Sequence, residues 1–103
     1  MGCSACAAKA RAAALRQKLN SQTCGDITAA VLAGYRDTYQ CIKDAVRYSE
    51  VGLTINTLNN RIMILNLAIS DKQANPESCK YFNVTNLFVE EANRIINLMP
   101  ECQ

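Results

Sequence analysis

Apolar residues recur at helical spacing in three separate stretches of this 103-residue chain. The stretches run from Ile27 to Val46, from Ile55 to Ile69 and from Val84 to Met99. In each one the apolar side chains return every three or four residues and therefore line one face of a helix. The alternation typical of a strand is confined to residues 52–55. This pattern limits the fold more than any other feature and predicts an all-α chain.

Turn and capping residues divide the chain into about four predicted helices, packed as a compact bundle. Their approximate ranges are residues 4–20, 26–49, 55–73 and 83–99. The candidate N-caps of the last three are Thr23 or Asp26, Thr54 or Asn56, and Asn83 or Thr85. No linker or internal repeat separates these helices, so residues 1–103 are predicted to form one domain.

The helix over residues 55–73 is apolar on most sides and is therefore predicted to be the central one. The predicted core is Leu58, Ile62, Leu65 and Ile69, in contact with Val31, Tyr35, Ile42, Phe88 and Ile95. Asparagines line the outside of this helix, at positions 56, 59, 60 and 66. They suit either a polar contact with another subunit or plain exposure to solvent. Tyr35 and Tyr39 are predicted to be half-buried, with their hydroxyls in water.

The first 25 residues form a basic arm on the helical core of residues 26–103. The arm carries four bases and no acid, whereas the remainder carries seven bases and nine acids. Its alanine-rich helix is basic and predicted to dock on a partner or on the bundle. The candidate contacts to an acidic partner surface are Lys9, Arg11, Arg16 and Lys18. Four cations are too few for tight nucleic-acid binding alone, and a solvated helix is the alternative interpretation.

Six cysteines are unusual at this length, and each is a candidate disulfide or thiol: Cys3, Cys6, Cys24, Cys41, Cys79 and Cys102. Cys3 and Cys6 form a CxxC motif, which suits a zinc knuckle or a reactive thiolate at a helix N-terminus. A zinc site would need a second close pair or a histidine, and the chain has neither. Structural cysteines, paired or buried, are therefore favoured over a redox or metal-binding module.

Two families share parts of this pattern. A CxxC motif in a helical chain of this size resembles the flavin-dependent sulfhydryl oxidases, which also use tryptophan and histidine around the flavin. This chain contains neither of those residues. The order of the six cysteines is loosely similar to that of saposin-like lipid-binding domains. That resemblance implies nested pairing of Cys3 with Cys102, Cys6 with Cys79 and Cys24 with Cys41, although the last two cysteines lie farther apart here than in that family.

No constellation of residues in the chain supports an enzyme. It contains no histidine, and its four glycines are isolated, so no phosphate-binding loop is predicted. Glu90 and Glu91 are adjacent on a helix and point in different directions, which suits a solvated face better than acid–base catalysis. No catalytic residue, metal or other cofactor is therefore predicted.

The favoured hypothesis is a non-enzymatic structural or interaction subunit of a larger protein assembly, homo- or hetero-oligomeric. In size and helix content the chain resembles the small connector and accessory proteins of tailed-phage particles. The alternative is a six-cysteine helical domain that binds lipid or membranes, and the third is the CxxC redox or metal-binding module. Specific nucleic-acid binding is not expected.

The chain start carries no apolar segment of the kind found in a secretory signal. Residues 1–3, Met-Gly-Cys, resemble the start of dually acylated peripheral membrane proteins, but Cys6 stands where those proteins usually have Ser or Thr. Membrane binding is therefore not favoured. Synthesis in the cytosol, with a final location in a virus particle, is the expectation.

Overall fold

The structure, a computed structural model, describes Ala7, Ala10 and residues 23–45 and 54–97. Its elements are a 3₁₀ turn at Cys24–Asp26 and three α-helices, α1 (Ala29–Ala45), α2 (Ile55–Ala74) and α3 (Phe82–Asn97). Within these residues there is no strand, and the predicted all-α class is confirmed. Ala7 and Ala10 are both helical, but the rest of the predicted N-terminal helix lies outside the described residues.

The start of α1 differs from the prediction. Thr23 and Asp26 cap the 3₁₀ turn, where the Thr23 backbone N–H donates to Asp26 Oδ2 at 3.2 Å. The α-helix begins three residues later and is capped by Thr28, whose Oγ1 accepts the Val31 N–H at 3.2 Å. Two hydroxyl-bearing caps in succession therefore turn the chain before α1 begins.

The boundaries of α2 confirm the sequence analysis to within one residue. Thr54 is the N-cap, because its Oγ1 accepts the Thr57 N–H at 3.1 Å. At the other end the Asn75 N–H donates to Asp71 O at 2.8 Å, and Pro76 follows. A residue that precedes proline is disfavoured in the α-conformation, which explains the stop.

Helix α3 begins at Phe82, ahead of both predicted caps. Thr85 is buried within the first turn and its hydroxyl donates to Tyr81 O at 2.9 Å. Because this hydroxyl is satisfied by a carbonyl of the preceding turn, Thr85 is tolerated in the core and does not cap the helix.

The predicted core is largely confirmed. The confirmed members are Leu58, Ile62, Leu65, Ile69, Tyr35, Ile42 and Phe88, all buried. Val31 is only half-buried, and the side chain of Ile95 lies outside the described set. The prediction missed Leu32, Ala68 and Val89, which are also buried.

Helix α2 is not the central helix among the described elements. It is α1 that packs against both of the others, extensively against α2 and to a smaller extent against α3. Although the helix is apolar on most sides, three of its large apolar side chains are exposed: Ile55 by 36%, Met63 by 54% and Leu67 by 50%. The buried surface of α2 is thus a single stripe, and its opposite side faces outward.

A disulfide and a buried lysine hold the end of α2 in place. Cys24 and Cys79 are joined, with their Cα atoms 5.6 Å apart, so the 3₁₀ turn is bonded to the connection between α2 and α3. Lys72 is only 7% exposed, and its Nζ donates to Cys24 O at 2.9 Å and to Pro76 O at 3.1 Å. A cross-link across 55 residues stabilises the fold by about 2–4 kcal/mol, mainly by restricting the unfolded chain.

This pairing corrects the nested pattern that the saposin-like resemblance implies. Cys24 is bonded to Cys79, so pairing of Cys24 with Cys41 and of Cys6 with Cys79 is wrong. Cys41 is likewise disulfide-bonded, and it is buried within α1. All three of the described cysteines are thus in disulfide bonds.

We expect Ile62→Ala to lower the free energy of unfolding by about 2–5 kcal/mol, because it leaves a cavity in the core beside Leu58 and Leu65. Denaturant unfolding followed by circular dichroism measures this. The matched control is Leu87→Ala, which truncates an exposed apolar residue of α3 and should change stability by less than about 0.5 kcal/mol. Equal effects of the two substitutions would contradict the core described above.

Candidate interaction surface

The exposed side of α2 carries no charged residue. Its exposed residues are Ile55, Asn56, Asn59, Met63, Asn66, Leu67, Ser70, Gln73 and Ala74. At 3.6 residues per turn these positions fall within an arc of about 120° along the whole helix. We call them the neutral face of α2. Three of the asparagines singled out from the sequence lie on it, and Asn60 is half-buried at its border.

All three charged residues of α2 are directed away from this face and have partners. Arg61 forms an ion pair with Glu91 of α3. Asp71 is half-buried and accepts a hydrogen bond from the Ser78 hydroxyl, while the buried Lys72 donates to backbone carbonyls. The neutral face therefore results from the way α2 is rotated about its axis, as much as from its composition.

The Arg61–Glu91 ion pair adds a directional contact to the buried apolar stripe that orients α2. Arg61 Nε lies 2.9 Å from Glu91 Oε1 and Nη2 lies 3.2 Å from Oε2, so the contact uses both carboxylate oxygens. The side chains are 25% and 16% exposed, respectively. Arg61 Nη1 also donates to Asn60 Oδ1 at 2.9 Å, and its guanidinium lies 5.0 Å from the centre of the Phe88 ring. A two-point contact fixes orientation more strictly than a single charge–charge contact.

Tyr39 extends the ion pair to α1. Its single hydroxyl proton is shared between Phe88 O at 2.7 Å and Glu91 Oε1 at 2.8 Å, and its ring packs edge-on against Phe88 with centres 6.1 Å apart. Tyr35 and Tyr39 are each only 1% exposed. The prediction of half-buried tyrosines with hydroxyls in water is therefore wrong, because the Tyr39 hydroxyl is bonded within the protein.

Tyr39, Arg61 and Glu91 form one hydrogen-bonded cluster, and its protonation states are fixed near neutral pH. Burial acts to raise the pKa of Glu91, but hydrogen bonds from Arg61 and Tyr39 outweigh it and hold that pKa below the ordinary 4.5. Burial, reinforced by the charge of Glu91, raises the pKa of Tyr39 far above its usual range. Glu91 is therefore ionised while Tyr39 stays neutral. The cluster holds three helices together and has no group poised to exchange a proton.

The adjacent glutamates behave differently from each other. Glu90 is exposed, as a solvated face requires, whereas Glu91 is half-buried in the ion pair. The prediction that the two point in different directions is confirmed, and the prediction that they suit a solvated face is wrong for Glu91. A separate small cavity lies between Ile27, Phe82 and the Lys72 side chain, and neither the Arg61–Glu91 pair nor Tyr39 lines it.

Several predicted site residues lie outside the described part of the chain. These are the CxxC cysteines Cys3 and Cys6, together with Cys102 and the basic residues Lys9, Arg11, Arg16 and Lys18. Among the residues that the structure describes, no group of histidine, cysteine or acidic side chains is arranged to hold a metal ion. None of the described helices combines the length and hydropathy that a transmembrane span requires.

Comparison of the chain with protein families, with curated proteins and with solved structures finds no match. Functional inference therefore rests on the residues and geometry above.

We expect Glu91→Gln to destabilise the fold by about 1–3 kcal/mol at neutral pH, because Arg61 loses its charged partner in a poorly hydrated site. Glu91 has a lowered pKa in the folded state, so its contribution is complete above about pH 4.5 and is lost as the pH falls through the folded pKa. The difference in unfolding free energy between wild type and variant should therefore shrink in acid. Chemical denaturation at a series of pH values measures it.

Glu90→Gln is the matched control, since it removes the same charge from the adjacent, exposed position. It should leave stability nearly unchanged at every pH. A Glu91→Gln deficit that is independent of pH, or that Glu90→Gln reproduces, would show that the ion pair does not stabilise the packing.

Proposed function

We propose that the protein is a non-enzymatic structural subunit that packs against neighbouring protein subunits of a larger assembly through the neutral face of α2. The observation that carries this proposal is a helix of 20 residues whose exposed side has no charge at any position.

The other described helices differ from α2, because their exposed sides carry charged residues. The exposed side of α1 includes Asp37 and Asp44, and that of α3 includes Glu90 and Arg94. Charged side chains are depleted at the centre of protein–protein interfaces, where methionine is enriched. Of the four large apolar residues that are exposed in the described structure, three lie on the neutral face and one, Leu87, lies on α3. The neutral face thus combines an absence of charge with three exposed apolar side chains, which supports the proposal that it is the surface used for packing.

The same proposal includes the kind of assembly, which we take to be a virus particle. Chain length and helix content favour a small virion component, such as a connector or accessory protein. We assign the basic residues Lys9, Arg11, Arg16 and Lys18 to a second contact, in which they steer the subunit towards an acidic partner surface. Such steering weakens as salt screens the charges.

The test replaces the centre of the neutral face by charge. In native material, we expect the wild-type protein to sediment with particles far larger than its own 11.3 kDa. Met63→Lys combined with Leu67→Lys should shift most of the protein to the free fraction, because both lysines would be desolvated at a packed interface. Gradient sedimentation followed by quantitative mass spectrometry measures the distribution.

The matched control is Leu87→Lys, which charges an exposed apolar residue on α3. It should sediment as the wild type does. Wild-type protein found only in the free fraction would refute the proposal, and so would a double variant that still sediments with the particles.

A further inference from the structure

We infer that the occupant of the neutral face is a second copy of this chain, packed antiparallel about a twofold axis beside Met63. The inference rests on the proposed function and adds the identity of the partner. It would make the dimer the building unit of the assembly.

Charge is the first argument. A face without charge meets no like-charge repulsion when it is opposed to itself, whereas charged faces of a single sign do. One charged side chain of α1, that of Arg36, reaches the border of the face, where its Nη1 donates to Asn66 Oδ1 at 3.1 Å. Asp37 Oδ1 lies 3.3 Å from the same guanidinium and offsets its charge. The neutral face can therefore pack against its own copy without like-charge repulsion.

The arrangement of residue types is the second argument. In a twofold contact the same patch serves both partners, so residues equally distant from the axis on opposite sides meet. With Met63 on the axis, Leu67 of one copy lies over Asn59 of the other, and Ser70 lies over Asn56. Met63 and Leu67 of the two copies then form a central apolar patch. Amide and hydroxyl groups, which both donate and accept hydrogen bonds, surround it.

The direction of packing follows from the helix dipoles. Antiparallel helices bring the positive end of one dipole beside the negative end of the other, and parallel helices do not.

The length of α2, about 30 Å, limits the area that the dimer can bury and therefore the strength of the association. A helix pair this long buries on the order of 1,000 Å², near the lower limit for a specific interface, so the isolated dimer should be weak and reversible.

The experiment is sedimentation equilibrium of the purified protein from about 1 µM to about 1 mM. We expect the mass to rise with concentration from 11.3 kDa towards twice that value. Met63→Lys and Met63→Glu should each remain monomeric, because each places two like charges together on the axis. An equimolar mixture of these two variants should associate again, since a lysine then meets a glutamate. Leu87→Lys, the control, should associate as the wild type does.

A second variant tests the direction. Asn59→Glu combined with Leu67→Lys in one chain should associate more tightly than either single variant, because antiparallel packing brings the new glutamate to the new lysine of the other copy. Parallel packing would oppose like charges and weaken association.

The outcomes separate this inference from the proposed function. A wild-type chain that stays monomeric throughout, or a Met63 mixture that does not associate, overturns the twofold pairing. Sedimentation of the monomeric chain with large native particles would still support the proposed function, with a different subunit on the neutral face. A dimer that forms while native material stays in the free fraction would overturn the proposed function alone.

Discussion

The orientation of α2 depends on the ion pair between Arg61 and Glu91. Removing these two charges from bulk water is costly, and the contact offsets that cost because both carboxylate oxygens, the Tyr39 hydroxyl and the Asn60 amide oxygen take part. Together with the buried apolar stripe of α2, the pair fixes which side of the helix is buried. Turning the helix by one residue would expose Arg61 and bury part of the neutral face. The uncharged outer surface is therefore a consequence of the contacts that α2 makes inside.

The C-terminal end of α2 is also held against rotation, by hydrogen bonds of a buried lysine and by a disulfide. Lys72, in the last turn, reaches the carbonyls of Cys24 and Pro76, and the disulfide from Cys24 to Cys79 closes the segment around it. Arg61 and Lys72 lie eleven positions apart, three helical turns, and so face nearly the same way. Two anchors on one side of a helix prevent rotation along its length. Both cations of α2 are used for this purpose, which leaves the opposite side without charge.

The periodic apolar residues were sufficient to predict the helices and most of the core, because burial of a stripe at helical spacing depends on local sequence alone. The cluster of Tyr39, Arg61 and Glu91 was missed because it joins residues up to 52 positions apart. Glu91 lies one helical turn after Phe88, and Arg61 precedes Ile62, so both border predicted buried positions. A charged residue beside a predicted buried position was the one feature of the sequence that could have indicated this cluster. The exposure of Met63 and Leu67 was also missed, since apolar residues around a helix predict burial without showing which neighbour, or which other subunit, provides it.

The central claim is that the neutral face of α2 is covered in the assembled state, and hydroxyl-radical footprinting of Met63 tests it most directly. Methionine oxidises readily when solvent reaches it, and Leu87 on α3 serves as the internal reference. The account predicts that Met63 is modified several-fold less in native material than in the diluted monomer, whereas modification of Leu87 is unchanged. Equal modification of Met63 in the two samples would contradict the account.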